Sequence, residues 1–265
     1  MIPPAFDYHA PQTVGEALTL LGSLGSDAKL LAGGHSLLPM MKLRFAQPAH
    51  LIDLNRIPEL RGICEDGNTV VIGAMTVEND LIASPVLKAR VPLLAEAPRQ
   101  IADPQVRNRG TIGGSLANND QAACYPAAVL GLGATIHTNQ RTLTADEFFA
   151  GLYTTALAEG EIITAVKFPR AEKAGWQKFK QPASRFSLVG VFVSKGPAGV
   201  RVAVTGAGAS GVFRATGLEA KLAANWSAAA LAGATVPSTE LNSDLHGSAE
   251  YRAALIPVLA ARAVG

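Results

Sequence analysis

Leu31-Ala32-Gly33-Gly34-His35-Ser36-Leu37-Leu38-Pro39 and Gly110-Thr111-Ile112-Gly113-Gly114-Ser115-Leu116-Ala117-Asn118 are the two stretches that decide how this chain is read. Adjacent glycines permit positive φ and let backbone N–H groups approach an anion with no Cβ in the way. Ser36, Thr111 and Ser115 add hydroxyl donors. One Gly-Gly pair would mean no more than a tight turn, but two similar loops in adjoining units suit a diphosphate. The first loop also leads into a helix whose N-terminus would favour negative charge. His35, the one histidine inside a glycine loop, reads either as a cofactor contact through its backbone or as a residue that fixes the turn.

Around the first loop, Thr13-Val14-Gly15-Glu16 has capping-box spacing and predicts a helix over 14–24. Residues 29–32 and 50–54 read as short strands and 37–44 as a short helix with Pro39 near its start. Around the second loop, 63–65 and 69–72 flank an Asp66-Gly67-Asn68 turn as a β-hairpin. Thr76 is the expected cap of a helix over 77–83, and 86–100 continues helically with breaks at Pro92 and Pro98. An apolar helix is expected near Ala122, several residues after the glycines. A strand at 135–138, a capping box at Thr144-Ala145-Asp146-Glu147 and a strand at 161–168 follow. A polar linker at 170–175 marks a domain boundary. Beyond it come β runs at 176–180, 188–195 and 200–205, then helices at 215–224 and 249–263.

Composition narrows the function. Of 265 residues, 48% are hydrophobic and 17% charged, which excludes intrinsic disorder. Lys+Arg 23 against Asp+Glu 21 gives a net charge of +2, too little for a strongly basic nucleic-acid binder. The longest apolar stretch, 122–136, is broken by Pro126 and Gly131 and falls short of the roughly 18 residues a membrane span needs. No basic region followed by an apolar block opens the chain, so the cytoplasm is the expected compartment. Cys64 and Cys124 form no C-x-x-C, and the histidines at 9, 35, 50, 137 and 246 are scattered. Neither zinc nor an iron–sulfur cluster is expected in this chain, and both thiols read as small buried hydrophobes. Gly206-Ala207-Gly208-Ala209-Ser210-Gly211 matches G-x-G-x-x-G, yet the region ≈ 20 residues on, 226–230, holds no acid for a ribose hydroxyl. It reads as a glycine-rich strand-to-helix connection. No nucleophile elbow or P-loop occurs, so no catalytic residue is assigned.

Together with Ile2-Pro3, Phe6-Asp7-Tyr8, Ile101-Ala102-Asp103-Pro104-Gln105-Val106-Arg107 and Ala249-Glu250-Tyr251-Arg252, the two loops give a resemblance over nearly the whole chain. The chain resembles the FAD-binding medium subunits of molybdenum hydroxylases, the xanthine dehydrogenase family, and among them the aerobic carbon monoxide dehydrogenase type. The resemblance implies an α+β fold. A two-part FAD-binding domain of the vanillyl-alcohol-oxidase or PCMH type would occupy 1–57 and 58–170. A C-terminal α+β domain with a three-stranded antiparallel sheet would occupy 175–265.

It also implies a non-covalent FAD whose diphosphate lies on Leu31, Ala32, Gly33, Gly34, His35, Ser36 and Leu37 and on Thr111, Gly113, Gly114 and Ser115. Asn118 and Cys124 would lie near the ribityl chain or ring, Ile162 and Ile163 beside the isoalloxazine, and Lys180 close to it as a basic residue. The implied function is electron transfer from iron–sulfur clusters of a partner through FAD to an external acceptor. The implied partners are a large molybdopterin subunit that oxidises substrate and a small subunit with two two-iron clusters, assembled as a dimer of heterotrimers. The implied location is the cytoplasm, with attachment at the inner face of the membrane as an open alternative. Two rivals are a stand-alone flavin-dependent oxidoreductase of the same fold and a scaffold that has lost FAD. Ser115 stands where asparagine is common, Gln121 where proline is, Cys124 where aspartate is, and Arg185-Phe186 where Asp-aromatic is. A thiol accepts hydrogen bonds weakly, so flavin affinity or potential is expected to shift. Arg185 reads either as a cation near the ring or as a solvated loop residue.

Overall fold

The computed structural model describes residues 2–265. Strand β1 (Asp7–His9), helix α1 (Val14–Leu24), strand β2 (Ala28–Leu31), helix α2 (Leu37–Lys42) and strand β3 (His50–Asp53) form a first layer. Its three strands are parallel in the order β1-β3-β2. Thr13 Oγ1 caps α1 by accepting the Glu16 N–H at 3.1 Å. The helix lays Ala17, with Leu18 and Leu21, against Ile52 and Leu54. The chain leaves β2 at Leu31 directly into the first glycine loop.

The second layer begins with the hairpin β4 (Ile63–Asp66) and β5 (Thr69–Gly73). Helices α3 (Glu78–Ala83), α4 (Pro85–Arg90), α5 (Pro92–Glu96), α6 (Pro104–Arg107), α7 (Ile112–Asn118) and α8 (Cys124–Leu132) follow. Then come β6 (Thr135–Thr138), β7 (Thr142–Thr144), α9 (Ala145–Phe148), β8 (Phe149–Gly151), β9 (Thr154–Thr155) and β10 (Ile163–Pro169). Five strands make an antiparallel sheet in the order β4-β5-β10-β6-β7. All nine residues of α8 are buried, which is why its sequence is apolar around the whole helix rather than along one stripe.

The third layer is β11 (Lys173–Lys180), β12 (Ser187–Gly196), β13 (Gly199–Thr205) and β14 (Phe213–Arg214), antiparallel in that order, with α10 (Thr216–Ala224) and α11 (Ala249–Val264). The three expected long strands are therefore joined by a two-residue fourth. β12 is sandwiched: Phe192 packs so close to α8 that a Cβ on Gly131 would sit 2.7 Å from its ring, while Val191 and Val193 join Ile256 and Leu259 of α11 on the other face. Such a strand reads as a continuous apolar run instead of alternating.

Several expectations are corrected. The expected linker at 170–175 ends inside β11, because Gly175 leaves room for the Ala263 carbonyl of α11 to press on the strand. Thr76 does not cap α3; its hydroxyl is committed to Gly62, accepting the N–H at 3.0 Å and donating to the carbonyl at 3.1 Å. The 86–100 stretch breaks at Pro92 into α4 and α5 and ends in a 3₁₀ turn. The expected strand at 161–168 begins at Ile163, since Glu161 is drawn aside by Arg141. Cys64 is exposed on an edge strand whose outer face meets solvent, not buried. The apolar helix begins at Cys124, and α7 starts on the second loop's own glycines.

Candidate functional site

The two glycine loops come from different layers and touch. A Cβ on Gly33 would run into the Arg109 carbonyl, and one on Gly114 would lie 3.1 Å from the Ala32 Cβ. Gly34 has φ +81°, the left-handed region, and its carbonyl accepts the Leu38 N–H at 3.0 Å to start α2. The N–H groups of Gly33, Gly34, His35 and Ser36 have no acceptor among the described residues. His35 and Ser36 are exposed, and Leu37 is half-buried.

The second loop is built differently. Thr111 Oγ1 caps α7 by accepting the Gly114 N–H at 3.1 Å, Gly113 donates to Ala74 O at 2.8 Å, and Ser115 donates to Thr111 O at 3.0 Å. Its main chain is thus committed to protein, and what it offers outward is the half-buried Ser115 hydroxyl, which bonds no other described residue. Gly113 is glycine because a Cβ there would meet Ala74 Cβ at 2.6 Å. An N-cap and two close approaches outweigh the roughly 1 kcal/mol per residue that glycine costs a helix.

Buttresses that the sequence did not reveal hold the first loop. Asn55 Nδ2 donates to Ala32 O at 2.9 Å, and Asp53 accepts from Asn55 N and, at 2.5 Å, from Tyr8 OH. The Asp53 hydrogen bond raises the Tyr8 pKa, while Arg56 and Arg109 lower it, so two cations lie near the same junction. The Phe6-Asp7-Tyr8 motif was the one signal for this network.

The remaining expected residues spread outward. Asn118 is half-buried with no side-chain hydrogen bond to another described residue, whereas its neighbour Asn119 is buried at φ +45° and holds β8 and β9 by donating to Gly151 O and Thr154 O, both at 2.8 Å. Cys124 is buried, with Sγ 3.3 Å from Lys178 Nζ and 4.0 Å from Ser187 Oγ. Ile162 packs into the core of the first layer and Ile163 into that of the second, so neither isoleucine is open. Lys180 is exposed beyond a bulge in β11, and Arg185 is exposed at φ +62° in the turn that follows. The 206–211 glycines link strand β13 to strand β14, not a strand to a helix as expected, because Phe213 and Arg214 pair with Val204 and Ala203 before α10 begins.

Behind the second loop lies a polar cluster. Glu78 donates its N–H to Gly110 O at 3.0 Å, and its side chain fills the space a Cβ on Gly110 would take. Its Oε2, with Arg107 Nε and Tyr125 OH, is buried without a partner. Burial pushes the Glu78 carboxyl up to about 7 against the pull of Arg107 and Lys178, and burial beside Glu78 raises the Tyr125 phenol.

A family profile described as the FAD binding domain in molybdopterin dehydrogenase matches residues 4–171. The chain belongs to this family. Over its full length it is 50% identical to the carbon monoxide dehydrogenase medium chain of Hydrogenophaga pseudoflava, covering 97% of that protein. It is 39% identical to the nicotine 6-hydroxylase medium subunit of Paenarthrobacter nicotinovorans, with 98% of this chain and 96% of that one covered. A solved structure of carbon monoxide dehydrogenase from Hydrogenophaga pseudoflava, lacking the Mo-pyranopterin moiety of its cofactor, matches with a TM-score of 0.88 at 48% identity, covering all of this chain and 97% of that one. The chain is thus an FAD-binding oxidoreductase subunit of the molybdenum hydroxylase type, with the α+β fold expected of that family. The loop junction fits FAD: four consecutive free N–H groups and two nearby cations answer a doubly charged diphosphate. Among the described residues no helix is long and apolar enough to cross a membrane.

Proposed function

We propose that this chain holds one FAD and passes electrons from the iron–sulfur clusters of a small partner subunit to an external acceptor, while a large molybdopterin subunit oxidises the substrate. The observation that carries the reading is the free N–H row of Gly33–Ser36 abutting the second glycine loop. The diphosphate sits on residues 31–37, where main-chain donors are free, and on 111–115, where the Ser115 hydroxyl is the outward donor. The flavin extends past Asn118 and Cys124 toward Ile162, Ile163 and Lys180. Bound flavin supplies a centre that takes electrons singly and delivers them in pairs. The chain's part is to orient it through the loop junction. The division at 57/58 and 170/175, a dimer of heterotrimers and a cytoplasmic location belong to the same reading.

The test is flavin content. Gly114→Val places branched carbons against Thr111 Oγ1, 2.8 Å from the Cβ position, and against Ala32. The wild-type complex is expected to carry about one flavin per chain by absorbance. The variant, folded by circular dichroism, is expected to lose at least nine-tenths of it. Full retention would remove the diphosphate from this junction.

A further inference from the structure

Between α8 and β11 runs a seam in which positive charge is left over. Lys178 reaches across it from the third layer, donating through Nζ to the Gln100 carbonyl at 3.0 Å and to Cys124 Sγ at 3.3 Å. One acceptor is a main-chain carbonyl and the other a cysteine sulfur, so no carboxylate meets the ammonium. None of the ion pairs among the described residues includes Lys178. The acid that feels its field, Glu78, is itself shifted by burial toward its neutral form and is also faced by Arg107. Arg107, half-buried and in no ion pair among the described residues, is turned to the Ile101 and Ala102 carbonyls behind the second loop, while Lys180 and Arg185 are exposed, where water and salt screen them. Lys178 is half-buried, so its charge acts over a longer range.

We propose that Lys178, which meets a cysteine rather than a carboxylate at position 124, is the positioning residue that raises the reduction potential of the flavin in this chain. The inference rests on the placement of the flavin beside Cys124 given above. Two electrons from the one-electron iron–sulfur carriers and one proton from water add a single negative charge to the ring. A fixed cation nearby favours that state over the neutral oxidised one. Lys178 touches no reacting atom; it acts through the field it sets and through its grip on residues 100 and 124.

The experiment is a spectroelectrochemical titration of the flavin in the intact complex at fixed pH and ionic strength. Lys178→Gln is expected to lower the equilibrium constant for two-electron reduction at least tenfold, a drop of about 30 mV. Lys178→Arg is expected to restore most of it, because the charge returns without the same reach. Cys124→Asp, which leaves Lys178 in place but gives it a carboxylate, is expected to lower the potential in the same direction, and Cys124→Ser to leave it nearly unmoved. Retained flavin with an unchanged potential in Lys178→Gln overturns the inference and leaves the proposed function standing. If that variant loses its flavin, Lys178→His decides: a potential that rises more steeply than the wild type's as pH falls and the imidazole gains charge supports the inference, and the wild-type slope overturns it. A wild-type complex devoid of flavin overturns both.

Discussion

Glu78 and Glu161 are both buried carboxylic acids, and their surroundings drive them in opposite directions. Glu161 accepts from Arg141, Thr138 and the Ala158 N–H, and the Arg141 hydrogen bonds above all hold it down at about 2. Its contribution to stability is present above the ordinary carboxyl value of 4.5 and is lost as pH falls toward 2. Glu78 has an unpartnered oxygen instead, and burial lifts it from 4.5 to about 7. Folding therefore takes up a proton at Glu78 within that window. Its contribution is full below 4.5 and is lost as pH rises through about 7, a span worth roughly 3 kcal/mol. Glu78→Gln keeps the shape and removes the titration. Denaturant titrations of the flavin-free chain are expected to show wild type losing stability relative to the variant between about pH 4.5 and 8, with the variant the more stable at pH 8. Parallel pH profiles for the two proteins would show that Glu78 finds a partner that the buried-oxygen argument denies it.

At the scale of elements, one side chain ties three of them together. Arg201 on β13 donates through Nε to the Leu130 carbonyl in the last turn of α8, at 2.7 Å, and through its guanidinium to Asp146 on α9, at 2.5 Å. Arg214 on β14 shares Asp146 and pairs with Glu219 of α10, whose carboxylate also accepts the Val202 N–H. Arg201→Met keeps much of the stem but strands a buried carbonyl and half of a charge network. Urea unfolding is expected to show a loss of about 3 kcal/mol, and a loss below 1 kcal/mol would mean that water replaces the guanidinium. None of this was readable in the chain, because Leu130, Asp146 and Arg201 meet only after the layers stack. What was readable has local causes. Thr13 and Thr144 announce α1 and α9 three residues ahead of their bonds, and Thr144 forms the full reciprocal box with Glu147. Asp66-Gly67-Asn68 closes its hairpin through neighbours. The junction of the glycine loops was legible as two motifs, but the division of labour between them was not. Gly113 and Gly114 are spent on packing against Ala74 and Ala32, contacts set by tertiary structure. Lys178 escaped notice for the same reason: its acceptors lie 54 and 78 residues away.

For the molecule as a whole, the question is whether its flavin is reduced from within or by a partner. In the proposed reading electrons reach the ring only through the iron–sulfur clusters of a partner, so the isolated chain and the complete complex differ in what reduces them. The side chains proposed to lie along the flavin are a thiol that accepts from Lys178, two buried isoleucines and an exposed lysine. The isolated chain loaded with FAD is therefore expected to keep its oxidised absorption when given the organic substrate or gas that the complete complex oxidises, and to bleach at once with a strong chemical reductant. Adding back the large and small partner subunits is expected to make the same bleaching substrate-dependent. Rapid anaerobic bleaching by substrate in the isolated chain would instead establish the stand-alone oxidoreductase, since electrons would then have entered the ring with no iron–sulfur relay in solution.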